Sequence, residues 1–160
     1  MDWTKIYESR VTSAQEAVKA VTSGSRIFLT GNVSVPQKLL GALADYAPNL
    51  SDVEICQALT IGPADYVKPE LAGHLRVNTM FISANVRKAV QTGQADFTPV
   101  LLSEFPLLFK RGILPLDAAL IHVSLPDEHG FCSLGVEVGL TKSAAETAKI
   151  IIAEVNQQMP

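Results

Sequence analysis

The residues best placed to do chemistry lie in one stretch, Ser124-Leu-Pro-Asp-Glu-His-Gly-Phe-Cys-Ser-Leu-Gly135, directly after the apolar run Ala118-Ala-Leu-Ile-His-Val123. A run of that length and composition reads as a buried strand. A buried strand that opens into Pro, Asp, His and two glycines has stopped packing a core and begun to present polar groups. Asp127, His129, Gly130 and Ser133 are the candidates there. His129 can donate a hydrogen bond, and the N–H groups of a tight loop can face an oxyanion, as a carboxylate- or thioester-binding edge requires. The same residues have a structural reading, in which Asp127 accepts N–H groups of its own loop and His129 caps a nearby carbonyl. Cys132 would be a nucleophile only if a His or a cation lowered its pKa, and three-residue spacing from His129 does not supply that geometry.

Three other positions follow predicted strands in the same way. The loop Gly31-Asn32-Val33-Ser34 leads into a helix whose first N–H groups could hold an anion. It has one glycine, so it is neither a dinucleotide fingerprint nor a phosphate loop, and a plain strand-to-helix turn fits it better. In Ser83-Ala-Asn-Val-Arg87, Arg87 could pair with a carboxylate or phosphate; alternatively Asn85 is an N-cap and Arg87 lies on a solvated face. Ser103 and Glu104 stand in the equivalent place after the next strand, where Glu104 is either a base or nucleophile or, as the favoured reading, a first-turn carboxylate suited to the helix dipole. His122, inside the apolar run, reads as a satisfied core residue. No HExxH motif or paired cysteines occur, and no metal site is expected.

A scaffold must hold these positions, and hydrophobic periodicity indicates which. Residues 13–23 predict a helix: Ser13 and Glu16 have capping-box spacing, Ala14, Ala17, Val18 and Val21 share a face, and Gly24 is placed as C′. A strand over 26–30 ends at Gly31, and the next helix carries Pro36 in its first turn and buries Leu39, Leu40, Leu43 and Ala47. Further strands are predicted over 53–59, within 75–83, and over 97–102, 116–124 and 149–155. Helices are predicted over 86–92, capped by Asn85 and closed by Gly93, over 105–111, closed by Gly112, and over 141–148. Residues 60–73 hold two prolines and two glycines and read as loop with at most short helix. Short continuous apolar strands alternating with helices imply an α/β fold: an open, mostly parallel sheet with helices on both faces.

The bulk properties agree. A chain of 160 residues suggests one domain, and 48% hydrophobic against 18% charged residues is enough for one substantial core. A net charge of −3, with the basic residues scattered, argues against nucleic acid or an anionic membrane as partner. Two cysteines, Cys56 and Cys132, do not make a disulfide scaffold. The start has no leader pattern and no apolar run approaches the ~20 residues that span a bilayer, so a soluble, cytoplasmic protein is predicted. The last strand runs into Asn156-Gln-Gln-Met-Pro160 and stops; a covered sheet does not usually finish on a bare strand, so a truncated sequence or one subunit of something larger is expected.

Several segments, in order along nearly the whole chain, carry a family resemblance. They are Phe81-Ile-Ser-Ala-Asn-Val-Arg-Lys-Ala-Val90, Gly93-Gln-Ala-Asp-Phe-Thr-Pro-Val100, Leu102-Ser-Glu-Phe-Pro106, Leu114-Pro-Leu-Asp-Ala-Ala-Leu120, the long loop from Val123 to Gly135, and residues 148–160. The chain resembles the N-terminal part of the acetyl-CoA hydrolase/transferase family, whose members include 4-hydroxybutyrate CoA-transferase. The resemblance implies two similar open α/β domains with the active site between them, and coenzyme A as a substrate passed between an acyl-CoA and a short carboxylic acid. It also implies a glutamate nucleophile on the second domain; neither Glu104 nor Glu128 matches its position, so no catalytic residue is assigned here.

What carries over is one wall of the substrate and CoA cleft: Gly31, Asn32, Asn85, Arg87, Ser103, Glu104, Asp127, His129, Gly130 and Ser133. Arg87 or His129 would orient the acceptor carboxylate, and the glycines would let backbone approach the thioester arm. The expected partners are the acyl-CoA, the acid and a second domain or subunit, in a homo-oligomer, with an apolar surface left exposed where the second half docks. Two alternatives keep the fold: an acyl-CoA hydrolase with water as acceptor, and a non-catalytic scaffold that binds an acyl-CoA or a partner chain.

Overall fold

The computed structural model describes residues 3–159. Among them are six strands, β1 Arg26–Leu29, β2 Val53–Gln57, β3 Leu75–Thr79, β4 Asp96–Phe97, β5 Ala118–Val123 and β6 Ile150–Val155, in the order β4-β3-β2-β1-β5-β6. Every pairing is parallel. The helices are α1 Trp3–Arg10, α2 Ala14–Ala17, α3 Gln37–Tyr46, α4 Arg87–Gln91, α5 Phe105–Lys110 and α6 Gly139–Thr147. None of these helices is long and apolar enough to cross a membrane.

Alternate residues of each strand serve opposite faces. On one face Ile27, Leu29, Ile55, Val77 and Leu120 pack with Val18, Leu39, Leu43 and Ala89 from α3, α4 and the turn after α2. On the other, Phe28, Cys56, Ala119 and Ile121 pack with Phe105 and Phe109 of α5 and Leu140 and Ala144 of α6. The central strands are therefore apolar on both sides, which is why they read as continuous runs.

The chain builds outward from β1 to β4, then returns across β1 to place β5 and β6 on its far side. Strand order reverses between β1 and β5. Beyond the carboxyl ends of those two strands the departing loops separate and leave a crevice, the usual ligand position in open α/β sheets.

Several predicted elements differ in extent. The helix expected over 13–23 is α2 plus a 3-10 turn, Val18–Ala20, because Val21 turns to extended backbone. The cap forms by half: Ser13 Oγ accepts from the Glu16 N–H, but the Glu16 side chain pairs with Lys19 instead of reaching back. Gly24 is consequently no C′ residue; at φ +75° it sits in a tight turn and donates to the Ser51 carbonyl. Pro36 is the N-cap of α3, one position earlier than expected, and has no side-chain acceptor. Glu154 of β6 supplies one, its carboxylate accepting from the N–H groups of Lys38 and Leu39 at 2.9 and 3.2 Å.

The strand expected over 97–102 shrinks to two residues, since Pro99 cannot donate to a ladder. Helix α1 was not anticipated: none of its residues is buried, so no apolar stripe marks it in the sequence. Asn85 does not cap α4. Val86 is the N-cap residue, with no side-chain cap hydrogen bond.

Candidate functional site at the carboxyl ends of the strands

The crevice between β1 and β5 opens into a cavity of about 320 Å³. Each wall is a segment that has just left a strand or forms the first turn of a helix: Gly31 and Asn32 after β1, Ala58 and Leu59 after β2, Phe81 after β3, Leu102 after β4 and Pro106 in α5, and Glu137 after β5 with Gly139 and Leu140 in α6. Phe28 and Leu29 form its floor. The lining is apolar apart from Asn32 and Glu137.

Gly31 is fixed by close approach. A Cβ there would overlap the carbonyl oxygen of Leu59. The next residue, Asn32, donates its backbone N–H to that same carbonyl at 2.6 Å and takes φ +52°, a left-handed conformation that Asn tolerates better than most residues. The side chain of Asn32 then reaches across the crevice, and its amide donates to a carboxylate oxygen of Glu137. Behind this pair Thr30 and Thr141 share a buried hydrogen bond of 3.2 Å, which ties the end of β1 to α6. Glu137 escaped the sequence reading: in Gly135-Val-Glu-Val-Gly139 it has no motif around it, and only the strand order brings it opposite Asn32.

Of the ten expected cleft residues, Gly31 and Asn32 line this cavity. Asn85 belongs to a neighbouring polar knot beyond β2 and β3. It accepts from Ser83 Oγ at 2.6 Å and donates to the Gly62 carbonyl at 3.1 Å and to Thr60 Oγ1 at 3.3 Å. The knot continues inward, with the Tyr66 hydroxyl donating to Gln57 Oε1 at 2.9 Å. Arg87 is exposed in the first turn of α4 and has no ion pair among the described residues. Ser103 and Glu104 are exposed just ahead of α5, with Glu104 as its N-cap residue and no cap bond from its side chain.

In the 124–135 loop the structural reading of Asp127 holds. Its Oδ1 accepts from the N–H groups of His129 and Phe131, both at 2.9 Å, and the Gly130 N–H donates to the Asp127 carbonyl. Those N–H groups are thus already used and do not face an oxyanion. Ser133 Oγ accepts from the Gly135 N–H in the same inward fashion. The backbone at Gly130 is approached by the indole of Trp3, where a Cβ would clash, while His129 remains exposed beside Glu128.

The hydrogen bonds from Phe131 and His129 hold the Asp127 carboxyl below its ordinary value of 3.8. A lowered folded-state pKa means that the carboxylate steadies the turn above about pH 3.8 and loses that effect as pH falls through the folded value. In an NMR titration the Phe131 and His129 amides should shift together with a midpoint below 3.8. A midpoint at or above that value would mean that the turn does not depend on the carboxylate.

The remaining candidates resolve simply. Partial burial, and then the Asp127 carboxylate, hold the Cys132 thiol above its usual range, opposite to what a nucleophile needs. Cys56 is buried, and burial pushes its thiol up. His122 is not the satisfied core residue expected, since its Nδ1 is buried without a hydrogen-bond partner among the described residues. No cluster of three or more His, Cys, Asp or Glu side chains able to hold a metal occurs among the described residues. At the cavity, Phe81 and Leu102 expose large apolar groups, at 57% and 74%, and the loops after β1 and β5 expose Val33 at 71% and Phe131 at 74%.

Comparison with known proteins converges. The sequence profile of the acetyl-CoA hydrolase/transferase N-terminal domain matches residues 1–160. The chain is 41% identical over 160 residues to 4-hydroxybutyrate coenzyme A transferase of Clostridium kluyveri, covering all of this chain and 37% of that protein. It is 41% identical over 151 residues to succinyl-CoA:acetate/propanoyl-CoA:succinate CoA transferase of Fasciola hepatica, covering 93% of this chain and 31% of that one. Among solved structures, RipA from Yersinia pestis superimposes with a TM-score of 0.88 at 29% identity, over 100% of this chain and 39% of that chain. 4-Hydroxybutyrate CoA-transferase from Porphyromonas gingivalis superimposes with a TM-score of 0.81 at 32% identity, over 99% and 36%. The chain therefore spans between about three and four tenths of the length of these relatives.

Proposed function

Because the chain belongs to the acetyl-CoA hydrolase/transferase family, we propose that it forms the first domain of a CoA-transferase and one wall of a cleft completed by a second domain. The observation that carries this reading is the cavity at the strand-order reversal. A space of about 320 Å³, apolar except at one edge, suits an acyl chain of a few carbons.

In this reading the nucleophile is a glutamate of the second domain. Its carboxylate attacks the thioester carbonyl, expels CoA thiolate and becomes an acyl anhydride. The thiolate then attacks the glutamyl carbonyl of the anhydride, which releases the first acid and leaves a glutamyl-CoA thioester. The acceptor acid attacks that thioester, forming a new anhydride and again expelling thiolate. The returning thiolate attacks the acceptor's acyl carbonyl, giving the new acyl-CoA and freeing the glutamate. This chain contributes by holding the acyl tail among Phe28, Phe81, Leu102 and Leu140 and by keeping water from the anhydride.

Asn85, Arg87, Ser103, Glu104, Asp127, His129, Gly130 and Ser133 complete the wall in this proposal. Arg87 and His129, exposed and outside the acyl cavity, orient the acceptor acid or contact CoA. Asp127, Gly130 and Ser133 shape the loop that carries His129. The second domain covers the exposed apolar rim, and the whole protein is a cytoplasmic homo-oligomer.

The test is CoA exchange by the intact enzyme that carries this chain. Incubated with butyryl-CoA and isotopically labelled acetate, it should form labelled acetyl-CoA and release little free CoA when acetate is omitted. Sustained CoA release without an acceptor would replace the transferase by a hydrolase. Absence of both would favour the binding scaffold.

A further inference from the structure

The cavity has one feature that a purely apolar acyl site does not need, the carboxylate of Glu137 held at its edge. From that placement we infer that Glu137 and Asn32 set which acyl groups enter: tails ending in a hydrogen-bond donor such as a hydroxyl are accepted, and tails ending in a second carboxylate are refused. The inference rests on the reading of this cavity as the acyl site.

The pair is built as a positioned acceptor. Glu137 lies in the segment between β5 and α6 and Asn32 follows β1, so their contact spans the strand-order reversal. The backbone of Asn32 is held in place. Its backbone N–H is bonded to the Leu59 carbonyl at 2.6 Å, Gly31 before it is wedged against that carbonyl, and its own φ is +52°. From that fixed backbone the side-chain amide donates to one oxygen of Glu137. The other oxygen, Oε1, makes no hydrogen bond among the described residues.

An acceptor with unused lone pairs at the edge of an otherwise apolar space favours a tail that brings a donor. A hydroxyl at the end of a short acyl chain satisfies it in an environment where charge-assisted hydrogen bonds are strong. A terminal carboxylate meets the opposite situation. It brings a second negative charge against Glu137 where water is scarce, and Asn32, with one of its two amide N–H groups spent on Glu137, has a single donor left to set against that repulsion. An unsubstituted tail such as butyryl makes neither interaction and serves as the reference.

The experiment is a kinetic comparison on the intact enzyme with 4-hydroxybutyryl-CoA, butyryl-CoA and succinyl-CoA as donors and acetate as acceptor. The wild type should favour 4-hydroxybutyryl-CoA over succinyl-CoA by about 100-fold or more in kcat/KM, as expected where a like-charge contact replaces a hydrogen bond. Glu137→Gln should bring the two within about tenfold, mainly by raising the succinyl-CoA value, because the amide offers a donor to the terminal carboxylate.

Glu137→Ser is the second variant; it removes the charge with a smaller side chain and should also relax the exclusion. Turnover of butyryl-CoA in each variant reports that the protein is folded. Variants that turn over butyryl-CoA but keep the wild-type ratio between the other two donors overturn the inference while leaving the proposed function standing. A wild type that prefers succinyl-CoA does the same. A wild type that transfers CoA from none of the three donors overturns the proposed function, and this inference with it.

Discussion

Gly31→Ala is expected to lower the unfolding free energy of the protein by about 2–3 kcal/mol, toward the upper part of the range for forcing an extra methyl into a close-packed site. The reason is the identity of the obstacle. The added Cβ would overlap the carbonyl oxygen of Leu59, a backbone atom that cannot move aside by a rotamer change. Relief requires the segments after β1 and β2 to part. They are joined there by the Asn32 N–H to Leu59 carbonyl bond and by the bridge between Asn32 and Thr60, and both would weaken. Gly41, in the exposed middle of α3, is the natural control: a Cβ there meets nothing within 4 Å, and alanine should be neutral or slightly stabilising. Urea unfolding of both variants decides the matter. A Gly31→Ala protein that unfolds at the wild-type midpoint would show that the two loops are free to separate.

Gly31 also illustrates what a sequence can and cannot reveal. Its place at the end of an apolar strand was legible, as were the apolar strands themselves, the two covered faces and the loops at the strand ends. All of these follow from local periodicity and turn chemistry. The strand order did not follow, because it depends on which edges meet, and with it went the identity of the cavity walls. Leu59, Phe81, Leu102 and Glu137 come from four separate connections and share no local pattern.

The loop from Ser124 to Gly135 was conspicuous for the residue types it collects, and those types turn out to serve the loop. Asp127 closes its own turn, Gly130 makes room for Trp3, and Ser133 supports Gly135. Conversely, the acidic side chain at the cavity edge is an ordinary Glu between two valines. Polar residues that fold a loop and polar residues that meet a ligand look alike until burial and partners are known.

Under the proposed function, the largest effect is expected from separating this chain from the second domain it calls for. The 160 residues alone should transfer CoA at least about 10⁴-fold more slowly than the intact enzyme, the order of loss seen when a covalent nucleophile is removed. Two independent losses combine here. The first is chemical: the proposed reaction takes its attacking carboxylate from the second domain, and among the described residues Glu137 is the one carboxylate that lines the cavity. One oxygen of Glu137 is bonded to Asn32 at its edge, Glu154 is bound to the first N–H groups of α3, Glu104 is exposed ahead of α5, and Asp127 accepts through Oδ1 from N–H groups of its own turn. The second is dielectric. The cavity edge at Phe81 and Leu102 is open to solvent in this chain, so an anhydride formed there would meet water instead of thiolate. The two losses can be told apart by adding the separately expressed second domain. Activity restored in proportion to complex formation, and abolished when that domain's glutamate is changed to alanine, is the expected result. CoA exchange by the isolated 160 residues at a rate near that of the whole enzyme would place the nucleophile in this chain and overturn the division of labour between the two walls.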